Sequence, residues 1–72
     1  MRLRETRAKK LVSVRELAKK SGISETNIYR LEEGKWLPTL TTIRKLSQAL
    51  DIKPEEVDEF NAAIDKAARR GG

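Results

Sequence analysis

The chain of 72 residues contains no cysteine and no histidine. Disulfides are thereby excluded, and so is a zinc site of the usual ligand types. Aromatic residues make up only 4% of the chain, so its core must rest on Leu, Ile, Val and Ala, as in a helical bundle. No apolar run approaches the roughly 18 residues of a membrane span. The charged start Met1-Arg2-Leu3-Arg4 is not followed by the apolar stretch of a signal peptide. Internal repeats, long linkers and low-complexity segments are also missing. Without His, Cys or a Gly-rich phosphate loop there is no sign of an enzyme, and no metal or cofactor is expected. The composition fits an intracellular setting. A length of 72 residues allows one small domain whose core is marginal in size.

Charge is abundant and unevenly placed. The net charge is +5 and the pI about 9.9. Residues 1–50 hold 12 Lys/Arg against 5 Asp/Glu, a balance of +7, and residues 51–72 hold 4 against 6, a balance of −2. A basic surface attracts polyanions and gains from counterion release on binding. A solvated basic face without a partner would look the same, so charge needs support from the local pattern.

The stretch from Ser13 to Gly34 supplies it. Ser13 is a good N-cap, and Glu16 stands where a capping box needs it. Leu17 and Ala18 face inward. Lys19 and Lys20 suit a helix C-terminus, and Gly22 accepts the left-handed conformation that ends one. Ile23 plugs the turn, Ser24 caps the next helix, and Ile28 and Leu31 share one face of it. Gly34 ends that helix. Two short helices joined by a tight turn, the second polar outside at Glu25, Thr26, Asn27, Tyr29, Arg30 and Glu33, form a helix-turn-helix.

The remaining pattern predicts an all-α chain of five helices. Helix one covers about 2–10, with Leu3 in the core, Thr6 weakly so, and the Arg7 stem turned inward. Helices two and three cover about 14–20 and 25–33. A loop holds Lys35, Trp36, Leu37 and Pro38. Thr39 caps helix four, which runs to about 50 with an apolar stripe of Leu40, Ile43, Leu46, Ala49 and Leu50. Pro54 suits a first helical position and Glu55 and Glu56 the positive end of a helix, so helix five is expected over about 54–68. Val57, Phe60 and Ile64 recur along it, with Ala67 or Ala68 next. Arg69, Arg70, Gly71 and Gly72 are expected to fray. The division is a DNA-binding domain at 1–58 and a helical extension with its tail at 59–72.

These residues make the chain resemble the Cro/lambda-repressor-like helix-turn-helix family, also called the XRE family. The resemblance rests on Leu3 with Arg7, Ser13-x-x-Glu16-Leu17-Ala18, Gly22-Ile23-Ser24, Ile28, Leu31-Glu32, Gly34-Lys35, Pro38-Thr39-Leu40 and Leu46-x-x-Ala49-Leu50. It covers about 2–58. It implies a five-helix lambda-repressor-like bundle, with helix five extended at the C-terminus. Two positions depart from the family. Val14 stands where many members carry a Gln that anchors DNA, and Arg15 beside it offers a phosphate contact instead. Members also often have a Gly near Leu11.

By family position, Glu25, Thr26, Tyr29 and Arg30 should face base edges. Arg can bind guanine bidentately, a carboxylate can accept from the cytosine amino group, and a Thr methyl can meet that of thymine. An acid near a helix N-terminus is stabilising in any case, so Glu25 also has a purely structural reading. Ser13, Arg15, Asn27, Lys35 and Trp36 are the phosphate candidates. The Trp36 ring has two readings: indole donation to phosphate, or packing on Leu37 and Pro38. The resemblance implies that Arg7 and Glu32 form a partly buried ion pair between helices one and three.

Val57, Phe60 and Ile64 either close the monomer core or build a two-fold interface. A homodimer is favoured, since small repressors commonly read two half-sites about 34–36 Å apart. The expected function is a sequence-specific regulator binding double-stranded DNA, a cytoplasmic and nucleoid-associated repressor of a prokaryote, phage or plasmid. The alternative is an antitoxin, coactivator-like or adaptor module on the same fold, with a protein partner at the C-terminal helix. RNA binding is a minor option for a basic helical domain, because the stacking aromatics of the common single-strand readers are absent.

Overall fold

Side-chain caps set where the helices begin. In a computed structural model that describes residues 1–69, the order is α1 (Leu3–Lys9), α2 (Val14–Ser21), α3 (Glu25–Glu32), α4 (Leu40–Leu50), a 3-10 turn (Pro54–Glu56) and α5 (Asp58–Arg69). Ser13 Oγ accepts from the Glu16 N–H at 3.1 Å and Glu16 Oε1 accepts from the Ser13 N–H at 3.3 Å, a reciprocal box. Ser24 Oγ accepts from the Asn27 N–H, and Thr39 Oγ1 from the Thr42 N–H, each at 3.2 Å. Each such cap is worth about 1 kcal/mol. Arg70, Gly71 and Gly72, expected to fray, lie outside the described residues, while Arg69 belongs to α5.

Left-handed residues set where α1 and α2 end. Gly22, at φ +77°, closes α2. After α1 the same conformation falls on Leu11, at φ +57° and 88% exposed. The Val12 N–H bonds to the Arg7 carbonyl and the Leu11 N–H to the Ala8 carbonyl, the paired bonds of a Schellman ending. A glycine here would avoid the left-handed cost of about 1–2 kcal/mol that Leu bears. This is a physical reason for the glycine that the resemblance leads one to expect nearby.

One core joins all five helices. Leu3 of α1, Val14 and Leu17 of α2, Ile28 and Leu31 of α3, Ile43, Leu46 and Leu50 of α4, Val57, and Phe60 and Ala63 of α5 are buried together. Phe60 is the largest fully buried side chain. The chain on either side of residue 58 therefore shares one core, and α5 is part of the folded domain.

Three expectations need correction. Helix five does not begin at Pro54: Pro54–Glu56 is a 3-10 turn, Val57 is extended at φ −105° and ψ 119°, and α5 starts at Asp58. A β-branched residue tolerates the extended state well, and the break frees the Asp58 N–H to donate to the Met1 carbonyl at 2.8 Å. Val57 and Phe60 are not available for a dimer interface, because both are fully buried in the monomer core, and only Ile64 of that trio retains exposure. Leu40 is on the α4 stripe by periodicity, yet it is 53% exposed. It is the first residue of α4, and α5 borders it only across shallow hollows.

Candidate nucleic-acid interface

The outward face of α3 is held from beneath. Ile28 and Leu31 anchor the helix in the core. Glu32, the third inward residue, has a side chain only 1% exposed and binds Arg7 of α1. Arg7 Nε donates to Glu32 Oε2 at 2.8 Å and a terminal nitrogen donates to Oε1 at 3.1 Å, a bidentate contact. The other terminal nitrogen donates to the Val12 carbonyl at 3.2 Å, so one guanidinium ties α1, α3 and the turn before α2. The hydrogen bond to Glu32 raises the Arg7 pKa above its ordinary value, and partial burial opposes that rise. Arg7 therefore keeps its charge through the neutral range. Arg4, one turn before Arg7, brings its Nε to 3.7 Å from Glu32 Oε1. The i, i+3 spacing of Arg4 and Arg7 was a readable signal for this second cation.

With those residues fixed inward, Glu25, Thr26, Tyr29 and Arg30 are all exposed on α3, Tyr29 at 50%. Among the described residues, none of the four makes a side-chain hydrogen bond or ion pair within the chain. Their hydrogen-bonding capacity faces outward.

The phosphate candidates fall into two groups. Arg15 on α2 shares a concavity with Ser24 and Glu25 at the start of α3, so the turn brings a cation beside the positive end of that helix. Lys19, one turn further along α2, lines the same concavity. Ser13 is exposed, and while its oxygen accepts from Glu16 its hydroxyl hydrogen can still donate outward. Asn27 is half-buried, and its backbone N–H serves the Ser24 cap. Lys35 is exposed beyond α3, with its Nζ 3.0 Å from Glu33 Oε2. The Trp36 ring packs against the core, in a depression that includes Leu37, Glu59 and Ala62. That depression is bordered by α5 as well as by Leu37. Val14 is buried in the core, so it offers nothing in place of the family's anchoring Gln.

A further set of contacts had no local signal. Glu59 of α5 presents Oε1 to the Leu3 N–H at 2.8 Å, capping α1 from 56 residues away. The Met1 ammonium donates to the Glu56 carbonyl at 2.9 Å and to Asp58 Oδ1 at 3.0 Å. These contacts hold α1, and with it Arg7, against the α5 end of the bundle. Among the described residues there is no cluster of three or more potential metal ligands, and no helix is long and apolar enough to cross a membrane.

Comparison with known proteins agrees with this geometry. A helix-turn-helix family model matches residues 3–57. Two relatives from Archaeoglobus fulgidus, each described as an uncharacterized HTH-type transcriptional regulator, are 37% and 35% identical over 60 residues. The matches take in 83% of this chain and 86% and 84% of the two relatives. No solved structure matches the chain. A capped helix pair over Ser13–Gly34, the Arg7–Glu32 tie beneath it and a family match spanning α1 to Val57 lead to one assignment: the chain belongs to the Cro/lambda-repressor-like (XRE) helix-turn-helix family.

Proposed function

We propose that this DNA-binding transcriptional regulator recognises a specific operator by laying α3 in the major groove. The observation that carries the reading is the division of labour on α3. Ile28, Leu31 and Glu32 are consumed by packing and by the Arg7 pair, while Glu25, Thr26, Tyr29 and Arg30 have no structural partner. Arg30 reads guanine through O6 and N7, Glu25 accepts from a cytosine amino group, and Thr26 and Tyr29 add apolar and hydroxyl contacts. Ser13, Arg15, Asn27 and Lys35 set register on the phosphates. The indole N–H of Trp36 is a secondary donor, since its ring is engaged in packing. The protein acts as a homodimer on two half-sites, in the cytoplasm at the nucleoid, and represses by occupying its operator.

Selection from a random pool of double-stranded DNA tests this, at about 150 mM salt to suppress nonspecific phosphate attraction. The expected result is an enriched site, with an inverted repeat if the dimer reads two halves. Binding that shows no enrichment and vanishes as salt rises would reduce the basic face to a nonspecific field. The adaptor reading, with a protein partner, would then take its place.

A further inference from the structure

Leu11 combines two unfavourable states. Its backbone is left-handed, at φ +57°, where the Cβ of an L-residue crowds the following carbonyl oxygen. Its side chain is 88% exposed, the most of any large apolar residue among those described. A buried leucine could offset a strained backbone by packing, but this one is left almost wholly in water. Gly22 and Gly34 take the same conformation with no side chain to place. A lone exposed leucine is ordinary. One held in a disfavoured conformation is not, and such residues cluster where a ligand is clamped.

The surroundings indicate the ligand. Lys9 and Lys10 precede Leu11, both exposed, and among the described residues neither ammonium makes an ion pair. Ser13 follows, exposed, with a hydroxyl hydrogen free to donate. Two residues of chain span at most about 7 Å, so Leu11 lies within that reach of Ser13. The turn is fixed against the reading helix: Arg7 donates to the Val12 carbonyl at 3.2 Å and to Glu32 of α3 at 2.8 Å. Glu32 dominates the raised pKa of Arg7, through its hydrogen bond and then its charge, and Tyr29 adds to the rise. The Tyr29 phenol is therefore within electrostatic range of the guanidinium that holds the turn. Leu11 thus stands on the Tyr29 side of the proposed DNA face, with ammonium groups before it and a hydroxyl after it. An acidic peptide would answer the lysines alone. A sugar–phosphate strand answers all of them, because it sets the apolar face of a sugar between successive charges.

We propose that Leu11 is a DNA-contact residue, packing on a deoxyribose of the strand whose phosphates are held by Ser13, Lys9 and Lys10. The inference rests on the DNA-reading proposal above and adds to it a contact that carries no charge. The test is binding of the full chain by fluorescence anisotropy between about 50 and 200 mM salt. The probes are a labelled duplex carrying the site enriched by selection and a mixed-sequence duplex of the same length. The variants are Leu11→Asn, Leu11→Gly, Leu11→Met and Lys10→Gln. Asn and Gly both accept the left-handed conformation, so their melting temperatures should equal or exceed that of the wild type.

Leu11→Asn and Leu11→Gly should weaken binding to the enriched site roughly threefold to tenfold at every salt concentration, the loss of one part-buried leucine. The slope of log Kd against log salt should stay at its wild-type value, since no phosphate contact is removed. Leu11→Met should bind within about twofold of the wild type, as an apolar side chain of similar volume. Lys10→Gln should instead reduce the slope by about 0.9. A leucine that only shapes the turn would not separate affinity from both stability and salt slope. Leu11→Asn binding as tightly as the wild type overturns the inference and leaves the DNA-reading proposal standing. A loss shared in full by Leu11→Met, or one that comes with a lower melting temperature or a changed slope, overturns it too. If no site is enriched, the DNA-reading proposal falls and the mixed-sequence duplex decides the contact. The same loss at an unchanged slope would keep Leu11 on the strand, and equal binding by the variants would remove it.

Discussion

Removing Arg7 should damage the protein more than removing its partner Glu32, and the asymmetry can be worked from the structure. The Glu32 side chain is 1% exposed and that of Arg7 is 17% exposed. Arg7→Ala strands a buried carboxylate whose nearest remaining cation, Arg4 Nε, is 3.7 Å away on a side chain 73% exposed. It also leaves the Val12 carbonyl without its donor. Breaking a buried pair from one side costs about 3–5 kcal/mol, and Arg7→Ala belongs near the top of that range. Glu32→Ala leaves a guanidinium that keeps the Val12 carbonyl and can turn toward water, so about 2–3 kcal/mol is expected. A domain of this class has only about 5–15 kcal/mol in total. Arg7→Ala is therefore best followed by urea unfolding at low temperature, monitored by circular dichroism. Arg7→Lys should recover only part of the loss, because an ammonium cannot make the two-pronged contact. The sign with pH follows from the raised Arg7 pKa. Stability from a raised cation is complete below its unfolded value and is lost only as pH rises through the folded one, far into alkali. Between pH 6 and 9, roughly, the Arg7 charge should add no slope. Equal losses in the two alanine variants would refute the burial argument, and unchanged stability in both would refute the pair itself.

Leu11→Gly should stabilise the chain by about 0.5–1 kcal/mol, the relief of the left-handed leucine less the chain entropy of glycine; a lower melting temperature would show that Leu11 makes contacts outweighing its strain. Phe60→Ala should cost about 3–5 kcal/mol in urea unfolding, as for any large core aromatic, whereas near-native stability with lost dimerisation would return Phe60 to an interface. Arg30→Ala should leave stability within about 0.5 kcal/mol and relax discrimination at one base pair by about 1–3 kcal/mol. Equal weakening on all sequences would make Arg30 a phosphate contact. Glu59→Ala should lower stability by about 1–2 kcal/mol through loss of the α1 cap, and no change in melting would mean that water replaces the carboxylate.

Much of the architecture is local and was therefore legible without tertiary information. Ser13 with Glu16, Ser24 and Thr39 are caps that act within three residues, so the local sequence located the starts of α2, α3 and α4. Gly22 and Gly34 marked two ends for a similarly local reason. The period of Ile28 and Leu31 told which side of α3 is buried, and its outward face followed by subtraction, whereas the choice of Glu25, Thr26, Tyr29 and Arg30 on that face came from the family resemblance. The Arg7–Glu32 pair was reached through family resemblance and not through any spacing within the chain.

What tertiary structure alone decided concerns faces whose cover comes from far along the chain. Periodicity puts Leu40 on the same stripe as Ile43, but only the packed bundle shows that its helices leave Leu40 half exposed. Phe60 and Ile64 share a helical face, yet Phe60 meets the core and Ile64 a groove. The Glu59 cap on Leu3 spans 56 residues, and the Met1 carbonyl takes up the Asp58 N–H that the break at Val57 exposes. By itself, the sequence determined the helices, the turn and the sign of the charge along the chain, since caps, periods and counts are properties of neighbours. Which apolar residues are buried in the core and which stay exposed was decided only by folding, because burial depends on how distant helices meet.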